Sequence, residues 1–175
     1  MSLHIIVDGY NLIRRSPQLN ELDRQDILLG REALQDMLFA YKKAKRHRIT
    51  VVFDGQNALP GAGQGAQPKG IQVIFSRNGR SADDVIKKIA LQEREKAVIV
   101  SSDNDVIDFC TSQGAAVIRS EDFENTLYQA VYSSGNGRGG MEIAVDERKT
   151  GTKKKGPAKR LSKKERRHRR TAGKL

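Results

Sequence analysis

The sequence is poor in the residues that build disulfides and zinc sites, and it has no long apolar segment. Its 175 residues include no tryptophan, one cysteine (Cys110) and three widely separated histidines, at positions 4, 47 and 168. A single cysteine cannot form an intrachain disulfide, and this set of residues is too sparse for a usual zinc site. No run of about 18 apolar residues is present, so the sequence predicts no membrane-spanning helix.

The amino terminus also lacks the basic segment and the long apolar segment of a signal peptide. It enters a short apolar run at residues 4–7 almost at once. Together with the scarcity of cysteine, this start predicts a protein of the reducing cytoplasm.

Charge is distributed very unevenly along the chain. Lysine and arginine number 32, against 21 acidic residues, for a net charge of +11. Residues 148–175 contain 14 of the basic residues and one acid, Glu165, which leaves 18 basic and 20 acidic residues in residues 1–147. The basic character therefore belongs to the carboxyl-terminal segment, and the rest of the chain is close to neutral.

Strand and helix patterns alternate along the first 132 residues. Short apolar runs predict strands at residues 4–7, 49–53, 71–75, 97–100 and 115–118. Helical spacing of apolar residues predicts helices at 26–45, 106–113 and 123–132, and Ser81 with Asp84 forms a capping box that opens another. Strands joined by helices indicate an α/β fold with a parallel sheet and helices on both faces, which binds ligands at the carboxyl ends of its strands.

The composition changes after residue 132. A stretch rich in glycine and serine is typical of a flexible linker, and residues 141–147 are a candidate edge strand. We therefore divide the chain into a domain at 1–132, a linker with this edge segment at 133–147 and a basic tail at 148–175. The tail is low in complexity, and we expect it to be disordered.

Acidic residues stand where the predicted strands end or where the next helix begins. They are Asp8, Asp54, Asp83, Asp84, Asp103 and Asp105. Because the carboxyl ends of parallel strands meet at one edge of a sheet, we expect these acids to converge there. Clustered carboxylates repel one another, and a hard divalent cation such as Mg²⁺ is the usual compensation. Two such ions can activate water and stabilise the leaving oxygen of a phosphodiester.

Each acid also has a purely structural interpretation. The Asp-Gly pairs that begin at Asp8 and Asp54 are common in turns. Asp83 and Asp84 stand in the first turn of a helix, where acids complement the helix dipole, and Asp103 is a good N-cap. For each acid taken alone, the structural and the functional interpretation both stay open. Because four separate elements place acids at the same edge, the functional interpretation is favoured for the six acids as a group.

Four motifs, taken in order, give this region a more specific signature. They are Val7-Asp8-Gly9-Tyr10-Asn11, Val52-Phe53-Asp54-Gly55, Ser81-Ala82-Asp83-Asp84 and Val100-Ser101-Ser102-Asp103-Asn104-Asp105. Over roughly residues 3–132 the chain resembles the YacP-like NYN-domain family of PIN-like nucleases. The resemblance implies a Rossmann-like parallel sheet and an endoribonuclease that depends on Mg²⁺ or Mn²⁺.

The resemblance also implies roles for individual residues. It implies catalytic roles for Asp8, Asn11, Asp84 and Asp103, and metal ligands drawn from Asp8, Asp83, Asp84, Asp103 and Asp105. The choice between Asp83 and Asp84 stays open, as does the number of ions. Asp54 and Ser102 are predicted to support the site, Ser102 through a hydrogen bond to a carboxylate.

An RNA substrate needs cations beside this acidic edge. The candidates in the domain are Arg14, Arg15, Lys69, Arg77 and Arg80, and those in the tail are Lys153, Lys154, Lys155, Arg166 and Arg167. These side chains predict contacts with phosphates, with scattered surface charge as the alternative. The expected partner is messenger RNA or RNA associated with the ribosome. A second hypothesis is a catalytically silent RNA- or ribosome-binding module on the same fold.

Overall fold

The computed structural model describes residues 3–55, 68–77 and 79–133, and in this part five strands form one parallel sheet. The strands are β1 (His4–Asp8), β2 (Arg48–Phe53), β3 (Gln72–Phe75), β4 (Ala97–Val100) and β5 (Ala116–Ile118). Their order across the sheet is β3-β2-β1-β4-β5. The two strands β1 and β4 are therefore neighbours although most of the domain separates them in sequence.

Helices connect the strands. They are α1 (Gly9–Arg15), α2 (Pro17–Gln25), α3 (Ile27–Lys45), α4 (Ala82–Glu93), α5 (Asn104–Ser112) and α6 (Ser120–Ser133). Short 3-10 turns at Pro68–Gly70 and Arg94–Lys96 precede β3 and β4. The connections between parallel neighbours are thus crossovers, as a parallel sheet requires.

The sheet is buried on both faces, because successive side chains of a strand point to opposite sides. In β1, Ile5 and Val7 belong to one apolar cluster, which also contains buried residues of α1, α3 and α6. Ile6 belongs to a second cluster on the other face, which includes residues of α4 and α5, among them Cys110. This arrangement confirms the predicted α/β fold with helices on both faces, and it explains why the strands are continuous apolar runs.

Local sequence signals set the helix starts, and some of them differ from the prediction. The capping box of Ser81 and Asp84 is confirmed. Helices α1 and α2 were not predicted, although Ser16 caps α2 and Pro17 occupies its first turn, as is common at helix starts. The last helix begins at Ser120, three residues earlier than predicted, and this shift brings its first turn to the carboxyl edge of the sheet.

Several predictions fall on residues that the structure does not describe. The linker after residue 133, the edge segment at 141–147 and the tail at 148–175 all lie outside the described residues. The proposed three-part division of the chain therefore stays a prediction.

Candidate active site

A cleft lies at the carboxyl edge of the sheet, where β1 and β4 end side by side. From this pair the chain extends the sheet in opposite directions, to β2 and β3 on one side and to β5 on the other. In a doubly wound sheet such a reversal opens a crevice that binds ligands. The cleft has a volume of about 380 Å³ and is lined by Tyr10, Asn11, Arg14, Arg15, Ser81, Ala82 and four carboxylates, those of Asp8, Asp54, Asp83 and Asp103.

Asp8 is the most deeply buried of these carboxylates, with 6% of its surface exposed. It ends β1 and caps α1, because its Oδ1 accepts a hydrogen bond from the backbone N–H of Asn11 at 3.3 Å. Its Oδ2 accepts one from Ser101 Oγ at 3.0 Å. The pKa of Asp8 is raised from 3.8 to about 6, chiefly by burial and to a smaller extent by the charges of Asp83 and Asp103, against the effect of these hydrogen bonds.

Asp103 and Asp83 face Asp8 from the starts of two helices. Asp103 caps α5, and its Oδ1 accepts hydrogen bonds from the N–H groups of Asp105 and Val106 at 2.8 and 3.4 Å. Asp83 lies in the first turn of α4. Burial raises the pKa of Asp83, the negative charge of Asp103 raises it further, and Lys87 opposes the shift. Three acids from three elements therefore repel one another within one cleft.

Asn11 is fixed by hydrogen bonds to distant parts of the chain. Its Oδ1 accepts from the backbone N–H of Ser102 at 2.9 Å and from Ser120 Oγ at 2.8 Å. Because the amide oxygen receives both donors, the amide NH₂ group is oriented away from them and available to a ligand in the cleft. Asn11 is thus both a structural link and a candidate donor to substrate.

Glu121 at the start of α6 completes this network at the rim of the cleft. It accepts a hydrogen bond from Ser102 Oγ at 2.5 Å and lies 3.5 Å from Arg15. The hydrogen bond from Ser102 lowers the pKa of Glu121, with Arg15 contributing less. Ser102 therefore does bond a carboxylate, as predicted, but that carboxylate is Glu121.

Sequence reasoning gave no role to Ser101, Ser120 or Glu121. Only Arg119 separates β5 from Ser120 and Glu121, so a search for polar residues just after each predicted strand would have found this pair. The predicted start of the last helix at residue 123 concealed this signal.

The predicted acids are divided between the cleft and its surroundings. Asp8, Asp54, Asp83 and Asp103 line the cleft, and Asp54 also accepts a hydrogen bond from Ser76 Oγ at 3.4 Å. The lining does not include Asp84, which completes the capping box with Ser81, or Asp105, which is bound by Lys87 Nζ on the exposed side of α5. Of the rival pair, the structure thus places Asp83 in the cleft. The catalytic and ligand roles of all these residues stay predictions.

The predicted RNA-binding cations are divided in the same way. Arg14 and Arg15 line the cleft, and Arg77 and Arg80 line an adjoining groove of about 490 Å³ that shares Asp54 and Ser81 with it. Lys69 precedes β3 at the opposite edge of the sheet, where its ammonium group binds Asp36 of α3. The five candidates of the tail lie outside the described residues.

A family model described as the YacP-like NYN domain matches residues 5–171. The chain belongs to the YacP-like NYN-domain family. The NYN domain is a PIN-like nuclease family, and the family resemblance drawn from the four motifs is confirmed. The match also continues through most of the basic segment, well past the last described residue.

This NYN-domain chain is similar to proteins of Bacillus subtilis. Over 86 residues it is 31% identical to a strain 168 protein called "Uncharacterized protein YacP", and the aligned part is 49% of this chain and 50% of the relative. The chain thus spans about half the length of the curated relative that it matches. Crystal structures of Rae1 (YacP), in two forms, are 24% identical and match with TM-scores of 0.65 and 0.62. They cover 76% of this chain, and 77% and 79% of their own chains, which shows a shared fold.

In the described residues, no three histidine, cysteine, aspartate or glutamate side chains are grouped closely enough to hold one metal ion together. None of the helices in the described ranges combines the length and apolar character that a bilayer crossing demands.

We expect Asp8→Asn to stabilise the metal-free fold at neutral and alkaline pH. Because the pKa of Asp8 is raised to about 6 in the folded state, its ionised form destabilises that state. This cost is fully present above about pH 7 and shrinks towards zero as the pH falls to about 4. A shift of this size corresponds to about 3 kcal/mol, so the variant should need more urea to unfold at pH 8 in chelator.

Asparagine suits the site, because its oxygen still accepts from the Asn11 N–H and its NH₂ group meets Ser101 Oγ. The urea midpoints of variant and parent should converge near pH 4. The control is Asp108→Asn, which removes an exposed charge from α5 and should leave the urea midpoint unchanged at pH 8 and near pH 4. A lower urea midpoint for Asp8→Asn than for the parent at pH 8 would show that the buried carboxylate stabilises the fold.

Proposed function

We propose that this chain is a divalent-metal-dependent endoribonuclease whose cleft hydrolyses RNA phosphodiester bonds. The convergence of Asp8, Asp83 and Asp103 at the strand reversal carries the proposal, because it concentrates negative charge where α/β folds bind ligands. Membership of a nuclease family supports the reaction class.

The carboxylates of the cleft fit a hard divalent cation. Burial, with a smaller contribution from their mutual repulsion, raises the pKa values of Asp8 and Asp83, and a cation between them would relieve this repulsion. A donor set of carboxylate oxygens suits Mg²⁺ or Mn²⁺. Asp8, Asp83 and Asp103 would hold such an ion, and because Mg²⁺ keeps several waters it would not need all three as direct ligands. When bound, the ion would supply a water of lowered pKa and polarise the phosphoryl oxygen.

The other residues of the cleft suit the binding of a phosphodiester. The NH₂ group of Asn11, directed by Ser102 and Ser120, is placed to donate to a phosphate oxygen. Arg14 and Arg15 offer positive charge beside the acids, and the ion pair with Glu121 holds Arg15 at the rim. These cations would bind the phosphates next to the scissile bond and fix the register of the strand.

The groove beside the cleft offers a path for the strand beyond the scissile bond. It continues from Asp54 and Ser81 towards Arg77 and Arg80. We propose that the strand is cytoplasmic RNA, either messenger RNA or RNA at the ribosome, and that the basic tail contributes to its capture. The charge of residues 148–175 supports this part of the proposal.

The test is incubation of a labelled circular RNA with Mg²⁺, with Mn²⁺ or with a chelator. Only cleavage within the chain converts a circle into a linear product, so this substrate separates endonuclease from exonuclease activity. We expect linear product with either ion and none with the chelator. Millimolar ion should also raise the melting temperature, because it binds the folded state preferentially. RNA that is bound and left intact under all three conditions would contradict the proposal and favour the silent binding module.

A further inference from the structure

A second concentration of charge, of the opposite sign, lies at the amino edge of the sheet. The last turn of α3 and the start of β2 carry Lys42, Lys43, Lys45, Arg46 and Arg48. Five of the seven consecutive positions 42–48 are therefore cationic, and none is acidic. The predicted RNA-binding residues did not include any of them.

A separate element adds two further cations to this edge. His4, the first residue of β1, pairs with Arg48 of β2 on one side and with Ala97 of β4 on the other. The 3-10 turn just before Ala97 therefore lies at the same edge, and it contributes Arg94 and Lys96. We call these seven cations the amino-edge patch: Lys42, Lys43, Lys45, Arg46, Arg48, Arg94 and Lys96.

The acids beside the amino-edge patch do not neutralise it. They are Glu93 and Glu95, and Glu93 lies 3.5 Å from Arg48 and 3.3 Å from His4. Two acids against seven cations leave a strongly positive surface. Every cation of the patch is exposed except Lys42, which is half-buried.

The patch contains a groove of about 430 Å³, with Lys42, Arg46, His47, Arg48, Ile49, Gly70 and Gln72 as its lining. Two of its cations bind the walls: Lys42 Nζ donates to the Gly70 carbonyl, and Arg48 donates to Gln72 Oε1 at 3.4 Å. Lys45 and Arg46, by contrast, form no side-chain hydrogen bond or ion pair with the described part of the chain. The charges of Lys45 and Arg46 are therefore not neutralised by those residues and can contact a ligand.

The helix dipole accounts for only part of this charge. Cations in the last turn of a helix complement its negative end, which applies to Lys42, Lys43 and Lys45. The dipole acts within that turn, so it does not explain Arg48 in the following strand or Arg94 and Lys96 on another element. A polyanion that runs across the strand starts would contact all three elements.

We propose that the amino-edge patch binds the phosphate backbone of the RNA at a distance from the scissile bond. The proposal rests on the proposed function, which supplies RNA as the ligand. The patch and the cleft are separated by the length of β1, whose five residues span roughly 16 Å. A very short RNA in the cleft cannot reach the patch, whereas a long or folded RNA can contact both. The patch therefore contributes to affinity for long RNA and leaves the chemical step unchanged.

The test compares two charge-matched double variants of the full chain. Lys45→Gln/Arg46→Gln removes two charges from the patch, and Arg24→Gln/Lys88→Gln removes two exposed charges from α2 and α4. Binding of a long RNA is measured against salt in chelator, so that cleavage does not interfere. We expect the patch variant to bind about tenfold more weakly at low salt, with a log–log salt slope shallower by about 1.4 units if both cations meet single-stranded phosphates. The control pair should stay within about twofold of the parent.

Turnover of a short RNA at saturation provides the second readout, and the patch variant should retain it. Equal long-RNA affinity and equal salt slope for the two double variants would overturn the proposal. A patch variant that loses binding to anionic lipid vesicles or to an acidic peptide while keeping its RNA affinity would overturn it as well. If the parent chain binds long RNA through the patch but cleaves no RNA, the proposed nuclease function is refuted and the proposal that the patch binds RNA still holds.

Crosslinking tests the surface without removing any charge. A photo-crosslinking residue in place of Ala44, which is exposed between the patch lysines, should couple to long RNA and not to a short one. The same residue in place of exposed Asn125 on α6 serves as the control. Equal coupling at the two positions would count against the patch even if the charge variants failed to fold.

Discussion

Asp8→Asn and Asp103→Asn are each expected to lower RNA cleavage by about a thousandfold while the fold is retained. Each substitution removes a charged ligand from the proposed metal site, and the ion is expected to supply several kcal/mol of transition-state stabilisation. Neither removes packing, because both side chains act through polar contacts at the carboxyl edge. The measurement is the initial rate on circular RNA at saturating Mn²⁺, with circular dichroism as the check on folding.

Asp108→Asn serves as the matched control, because it also removes one aspartate charge from α5 and is exposed. Its rate should equal that of the parent. Asp83→Asn and Asp84→Asn extend the test to the rival pair: from their positions, we expect the greater loss for Asp83, which lines the cleft. Parent-like rates for both Asp8→Asn and Asp103→Asn would remove the metal assignment from this cleft.

Deletion of residues 148–175 is expected to change RNA binding far more than catalysis. It removes 14 cations and one anion, while every described residue of the cleft lies upstream. If about half of these cations meet single-stranded phosphates, the log–log salt slope should become shallower by roughly 5 units. Affinity should fall most at low salt, where counterion release contributes most to binding.

The measurement is affinity against salt for the full chain and for residues 1–147, together with turnover of a short RNA at saturation. Turnover should be largely preserved in the shortened chain. Identical salt slopes would exclude the tail from RNA binding. Loss of turnover at saturation would place part of the tail in the active site. The family model also includes most of the tail, because its match continues to residue 171.

The strands along the chain and the acids at their ends could be predicted from the sequence, because both depend on local signals, whereas the order of the strands across the sheet was not predicted. Branched apolar runs form strands that are buried on both faces, and a capping box sets the start of α4. Since parallel strands end at one edge, the position of Asp8 and Asp103 in the chain was enough to place them at the same edge, and the pairing of β1 with β4 brings them to one cleft.

The tertiary structure alone decided which side chain of each element faces the cleft. Asp83 and Asp84 are adjacent on α4, where consecutive residues point about 100° apart, so the packing of the helix determines that one lines the cleft and the other caps the helix. The bond of Asn11 to Ser120 joins residues 109 positions apart, and no local pattern encodes such a contact. Lys69 is a further residue whose location only the tertiary structure decided. Its place in a loop near the motifs suggested the cleft, but the strand that follows it begins at the opposite edge of the sheet.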